Sequence, residues 1–305
     1  MTGAGLQGGM DGDGDGAGYG AGDGVVRSET TLSVGDGRRR QGVDVRGYVA
    51  GSGDPVVLLH GCGLDAATVS YRYLLPELAA DHRVHAIDFP GHGHSDKPST
   101  RYTTDFFRRV LAAYLDEHGI ESPSLVGISM GGSVALGHAL EHDVDRLVLV
   151  DSYGLGGDAA WRPAASVGLR IPMVHRQWWR SLSASPASVR GHLRSVTAGT
   201  PPSDLVEDVY AAVQDDAVGR TVRSWQRSEF RASGLQTDYR DRLGGLETET
   251  LLVHGASDPL LPASWSRRAA ESLPNGAVRV YDRTGHWPPR EHPERFNADV
   301  SAFLS

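Results

Sequence analysis

The segment Gly127-Ile128-Ser129-Met130-Gly131 constrains this chain more than any other stretch. It joins an apolar run, Ser-Leu-Val-Gly over 124–127, to a run of small and apolar residues over 130–140. The first has the character of a buried strand and the second of a buried helix. A Gly-x-Ser-x-Gly pentapeptide by itself is common by chance. Between a strand and a helix it predicts a tight turn that strains the serine backbone, raises its hydroxyl above the sheet and aims helix N–H groups at developing negative charge. The glycines two residues either side of the serine, and Gly132 beyond, carry no Cβ and let neighbouring elements approach closely. A serine that merely caps a helix is the weaker reading in this context.

Strand and helix patterns alternate on both sides of that turn. Residues 30–34 and 43–49 read as an opening hairpin pair, and 55–60 (Pro-Val-Val-Leu-Leu-His) as a continuous apolar strand. A helix near 66–80, a strand over 83–88, a helix over 104–118, the strand–serine–helix unit (helix over 130–141) and a strand over 146–151 follow. Continuous apolar strands separated by amphipathic helices indicate a parallel sheet covered on both faces, a doubly wound α/β fold. The alternation breaks over 152–245, a Trp- and Arg-rich helical stretch interrupted by prolines, which reads as a lid inserted after the sixth strand. Strands resume at 250–254 and 277–281, and a last helix is expected from Pro293 to Leu304. The expected organisation is a tail over 1–24, core over 25–151, lid over 152–245 and core again over 246–305.

Composition limits the remaining possibilities. Residues 1–24 are mostly Gly, Ala and Asp and cannot bury enough apolar surface to offset their ordering entropy, so a flexible acidic tail is expected. The Asp11–Gly16 run has the start of a calcium loop, but Gly22 stands where that loop needs a bidentate Glu. The single cysteine, Cys62, excludes an internal disulfide and a cysteine-built metal site. A net charge of -8 gives no overall basic field for nucleic acid. No apolar run is long enough to span a membrane and no secretory leader is evident, so a cytoplasmic protein, monomer or homodimer, is expected.

Three further segments accompany the serine turn: His60-Gly61-Cys62-Gly63 after the third strand, Phe89 to Ser95 (Phe-Pro-Gly-His-Gly-His-Ser) after the fourth, and Gly285-His286 near the C-terminus. In this order and spacing the chain resembles the α/β-hydrolase superfamily over nearly everything after residue 25. The resemblance implies a serine hydrolase with Ser129 as nucleophile, His286 as base and Asp258 as orienting acid, needing neither metal nor organic cofactor. Asp151, at the end of the sixth strand, and Asp282, four residues before His286, compete for the acid role. The oxyanion donors it implies are the backbone N–H groups of Cys62 and Met130. A Cys62 thiol nucleophile is a minor alternative, and His60, His92 and His94 resemble structural positions.

The first expectation for substrate is a small carboxylic ester. The alternative is carbon–carbon cleavage of the meta-cleavage-product type, or perhydrolase chemistry, with a non-catalytic small-molecule receptor more remote. Gly285-His286-Trp287 followed by Glu291-His292-Pro293-Glu294 resembles the carbon–carbon hydrolases, and Trp287 is a candidate pocket wall. That group uses a lid arginine for the substrate carboxylate; the lid segment carries 12 Arg against nine Asp and Glu, with Arg223 and Arg227 flanking Trp225 as candidates. Ile128, where that group carries Asn, and the His-Gly-Cys-Gly-Leu-Asp loop depart from its pattern.

Overall fold

In the computed structural model, residues 24–35, 40–159, 168, 171–231 and 233–305 are described. The expected tail over 1–24 therefore lies almost wholly outside the described residues, as does part of the expected lid. An eight-stranded sheet runs in the order β1-β2-β4-β3-β5-β6-β9-β10. Its strands are β1 (Val26–Gly35), β2 (Arg40–Ala50), β3 (Pro55–Leu59), β4 (Arg83–Ile87), β5 (Ser124–Ile128), β6 (Arg146–Val150), β9 (Glu249–Gly255) and β10 (Gly276–Tyr281). β1 pairs antiparallel with β2, and β2 with β4, while every pairing from β4 to β10 is parallel. This is the expected doubly wound, mostly parallel sheet. The remaining strands, β7 (Phe230–Arg231) and β8 (Gly234–Leu235), form a small hairpin that the sequence reading missed.

Strand side chains alternate between the two faces, and in the central strands both sets are apolar. Val57, Leu59, Leu125, Leu147 and Leu149 pack with Phe107, Leu111 and Val134 on one side. Val56, Leu58, Val126, Val148 and Val150 pack with Leu74, Leu78, Phe296 and Val300 on the other. Double-sided burial is why these strands read as unbroken hydrophobic runs, and each fully buried Leu or Val contributes about 1.5–3 kcal/mol of transfer free energy.

The first face is covered by α3 (Thr104–Glu117) and α4 (Met130–Ala139); α3 is capped by the Thr103 side chain, which accepts the Phe106 N–H. The expected helix over 66–80 is two short helices, α1 (Ala67–Ser70) and α2 (Leu74–Leu78). Pro76 in the interior of one long helix would lack an N–H and clash with the preceding turn; restarting at Leu74 puts it in a first turn, where that N–H is not needed. Between β6 and β9 the described residues include α5 (Pro172–Leu182), α6 (Pro186–Leu193), α7 (Ser203–Ala212) and α8 (Asp216–Glu229). After β9 comes α9 (Ala263–Ser272), which the sequence reading did not place, and the chain ends in α10 (Pro288–Glu291) and α11 (Pro293–Leu304).

Candidate active site

All of the expected site residues follow the carboxyl ends of parallel strands, where open α/β sheets leave a crevice. Ser129 joins β5 to α4 with φ 53° and ψ -114°, a conformation that costs a non-glycine residue about 1–3 kcal/mol. Neighbours hold it there: Ser129 N–H donates to Val150 O at 2.9 Å, and Ser129 O accepts from Tyr153 N–H at 3.1 Å. A Cβ on Gly131 would lie 2.0 Å from Leu59 O, and one on Gly127 2.4 Å from Gly131 O, so only glycine lets the strand, turn and helix close this tightly.

His286 and Asp258 are brought together from the ends of β10 and β9. His286 Nδ1 lies 2.7 Å from Asp258 Oδ2, while Asp258 Oδ1 accepts the N–H groups of Leu260 and Leu261 at 2.7 and 3.2 Å. Ser129 and His286 line one cavity, with no hydrogen bond between the serine hydroxyl and the ring. Asp282, one competitor for the acid role, is exposed. Asp151, the other, is fully buried beside Asp258: Oδ1 accepts Gly255 N–H at 2.9 Å and lies 3.2 Å from His254 Nε2. His254 Nε2 is also 3.4 Å from Asp258 Oδ2 and 2.9 Å from Leu261 O. Burial pushes Asp151 well above the carboxylate range, as does the Asp258 charge, with His254 opposing. Of the two buried carboxylates, Asp151 therefore holds a proton more readily than Asp258.

Burial would raise Asp258, but the His286 and His254 rings outweigh it and hold the carboxyl well below its ordinary range. Burial would lower His286, but the Asp258 charge and hydrogen bond, aided by Asp65 and Glu291, hold the imidazole above its ordinary value. A raised pKa means the ring keeps its proton to higher pH, and only the neutral ring can act as a base. kcat/KM should therefore fall with acid at a midpoint above about 6.5. Asp258→Asn should move that midpoint to lower pH; an unmoved midpoint in the variant's pH–rate profile would refute the coupling.

Two loops set the geometry around these groups. Phe89 N–H donates to His60 Nε2 at 2.9 Å, which leaves the proton on His60 Nδ1, 2.7 Å from Gly61 O. The Gly61 carbonyl and the Cys62 N–H belong to one trans peptide and point in opposite directions. Cys62 and Met130 N–H have no protein acceptor among the described residues. Burial pushes the Cys62 thiol far above its ordinary value, which disfavours a thiolate nucleophile. Glu291, whose role the sequence did not reveal, accepts the N–H groups of Gly285 at 3.0 Å and Trp287 at 3.1 Å, the residues either side of His286. His286 N–H itself donates to Val196 O at 2.8 Å.

The cavity measures about 480 Å³. Ser129, His286, Cys62 and Asp65 line it beside aromatic walls from Tyr153, Trp178, Trp225, Phe230 and Trp287. His175 of α5 and Gln226 of α8 add polar groups, and no arginine or lysine lines the cavity among the described residues. Arg227 is exposed. Arg223 lies one turn before Gln226, with Nε and one terminal nitrogen buried and without a hydrogen-bond partner.

Comparison with known proteins agrees with this architecture. The sequence profile described as alpha/beta hydrolase fold matches residues 54–293. The chain is 31% identical to a 2-hydroxy-6-oxononadienedioate/2-hydroxy-6-oxononatrienedioate hydrolase of Cupriavidus pinatubonensis, over 82% of this chain and 86% of that protein. It is 30% identical to a 2-hydroxymuconate semialdehyde hydrolase of Pseudomonas sp. strain CF600, over 87% and 91%. The structure is similar to that of a meta-cleavage product hydrolase of Pseudomonas fluorescens IP01, with a TM-score of 0.74, 26% identity and coverage of 91% and 97%. With its fold, the strained serine turn and a profile match spanning most of its length, the chain belongs to the alpha/beta hydrolase fold family.

Proposed function

We propose that this hydrolase cleaves a carbon–carbon bond in a vinylogous 1,5-diketone acid, with Ser129 as nucleophile, His286 as base and Asp258 as orienting acid. The observation that carries this reading is Arg223. Its partly buried guanidinium has no partner among the described residues, on the helix that also lines the cavity through Trp225 and Gln226. Burial, together with Arg227, weakens its hold on its proton. A desolvated cation without a counter-charge is costly, and a substrate carboxylate would supply one. The relatives named above act on acids of this chemical type, which moves the weight from a simple ester to carbon–carbon cleavage.

His286 takes the Ser129 proton as the hydroxyl oxygen attacks the substrate ketone, and the N–H groups of Cys62 and Met130 receive the oxyanion. When the carbonyl reforms, the bond to the vinylogous chain breaks and its electron pair is delocalised into that chain as a conjugated enolate. The imidazolium returns its proton to the departing carbon. Water, deprotonated by His286, then attacks the acyl-enzyme, and collapse of the second tetrahedral species releases the acid and restores the serine hydroxyl. No step calls for a metal or an organic cofactor.

Ester hydrolysis remains the second reading, because no cationic side chain among the described residues lines the cavity itself and Ile128, an apolar residue, precedes the serine. A side-by-side panel of p-nitrophenyl esters and a vinylogous 1,5-diketone acid separates the two. Carbon–carbon cleavage predicts kcat/KM far higher on the diketone acid. Arg223→Gln should then raise KM for the acid roughly 10- to 100-fold, the worth of a hydrogen bond to a charged group, and leave the esters unaffected. Faster turnover of the esters would overturn the first reading.

A further inference from the structure

Asp65 is a buried carboxylate on the cavity wall for which the proton transfers above have no use. It stands four residues after Gly61, in the loop that presents Cys62. Its Oδ2 accepts Gly61 N–H at 2.6 Å and its Oδ1 accepts Ala66 N–H at 2.8 Å. The Ser70 hydroxyl lies 2.7 Å from Oδ2 and 2.9 Å from Oδ1, and it also accepts Trp287 Nε1–H at 2.8 Å. The directions are fixed at both ends, because an indole N–H only donates and an ionised carboxylate only accepts. An ordered chain therefore runs from Trp287 through Ser70 to Asp65, where it meets Gly61 coming from the other side. Trp287 is the residue after His286, and Gly61 the residue before Cys62.

Burying a carboxylate costs several kcal/mol unless its hydrogen bonds are all made, and an apolar side chain would fill the same space without that cost. Burial pushes the Asp65 pKa up, while His60, Ser70 and the two backbone N–H groups act against the shift. What the carboxylate offers in return is geometry: with His60 on the Gly61 carbonyl and Asp65 on the Gly61 N–H, both polar groups of that residue are fixed.

We propose that Asp65 is a positioning residue, whose carboxylate sets the oxyanion donor Cys62 and the base His286 in one frame through Gly61 on one side and Ser70–Trp287 on the other. Its charge also faces His286, together with those of Asp258 and Glu291, and a carboxylate oxygen of Asp151 lies within 4.8 Å of the Asp258 carboxylate and the His286 ring. The inference rests on Ser129 and His286 acting as nucleophile and base, and not on which carbonyl substrate is cleaved.

The test is Asp65→Asn in the full chain, assayed on the best substrate of the panel, with active sites counted by fluorophosphonate labelling. Asn keeps the shape but must turn an NH2 group towards either Gly61 or Ala66 N–H. kcat per active site should fall about 10- to 100-fold, part of the effect of losing an oxyanion donor, with KM within about threefold. The acidic limb of kcat/KM should move to lower pH, because a negative charge facing His286 is gone; loss of packing alone would not move it. A kcat within threefold of wild type, or an unmoved limb, overturns the proposal. Ser70→Ala keeps the charge and cuts the link to Trp287, so kcat should fall about tenfold with the limb in place; wild-type kcat would overturn the proposal even if Asp65→Asn did not fold. Turnover that survives Ser129→Ala would instead defeat the underlying assignment of the nucleophile, which keeps the two failures apart.

Discussion

Ser129→Ala should abolish turnover and labelling by a fluorophosphonate while leaving stability nearly unchanged. The serine sits at φ 53° and lines the cavity, and its hydroxyl makes no hydrogen bond to the described residues. The strain resides in the backbone, fixed by the bonds to Val150 and from Tyr153, and alanine inherits it. Removing the oxygen should therefore change folding free energy by less than about 0.5 kcal/mol. Activity should respond very differently: losing a nucleophile of this kind costs on the order of 10⁴- to 10⁶-fold in kcat. The comparison of kcat, labelling and melting temperature in one variant separates a chemical role from a structural one. Undiminished labelling would sink the assignment.

Arg290→Met should be the most destabilising of the side-chain changes considered. Arg290 is 1% exposed and lies on α10, just past His286 and Trp287. Its guanidinium donates to Val69 O, pairs with Asp204 and Asp208 of α7 at 2.5 and 2.9 Å, and lies over the Tyr73 ring at 5.4 Å. Asp208 is itself 3% exposed, and its other partner is Arg72 at 2.8 Å. Methionine fills most of the volume but leaves the Asp208 carboxylate in a dry site with one cation instead of two. Breaking one side of such a cluster costs about 3–5 kcal/mol, or roughly 10 °C in melting temperature for a domain of this size. The double variant Arg290→Met, Asp208→Leu should recover part of the loss, because it removes the stranded charge as well. A melting temperature within about 2 °C of wild type for the single variant would show that α7 is not held to the core by this cluster.

The sequence revealed some parts of the site and concealed others for a physical reason. Ser129 was legible because strand, turn and helix are consecutive in the chain and their requirements are local. His286 and Asp258 were singled out by resemblance, with Asp151 and Asp282 still in competition, and the structure brings His286 and Asp258 within hydrogen-bond distance. Trp287 was named as a pocket wall, and it lines the cavity, but its bond to Ser70 spans 217 residues and had no sequence signal. Asp65, Glu291 and the cluster of Asp151, Asp258 and His254 were hidden for the same cause: each depends on groups from separate strands meeting in one dry space. Glu291 lay in a segment already singled out for its resemblance, yet nothing local says that its carboxylate would hold the backbone around His286.

By itself, then, the sequence determined the fold class, the central strands and the serine turn. Apolar periodicity and glycine placement act over a few residues and survive in any context. Only the tertiary structure decided which of three aspartates hydrogen-bonds to His286, which of two buried carboxyls holds a proton more readily, and that Arg223 has no partner among the described residues. Those outcomes depend on distance and desolvation, and both are set only when sequence-distant segments close around one another.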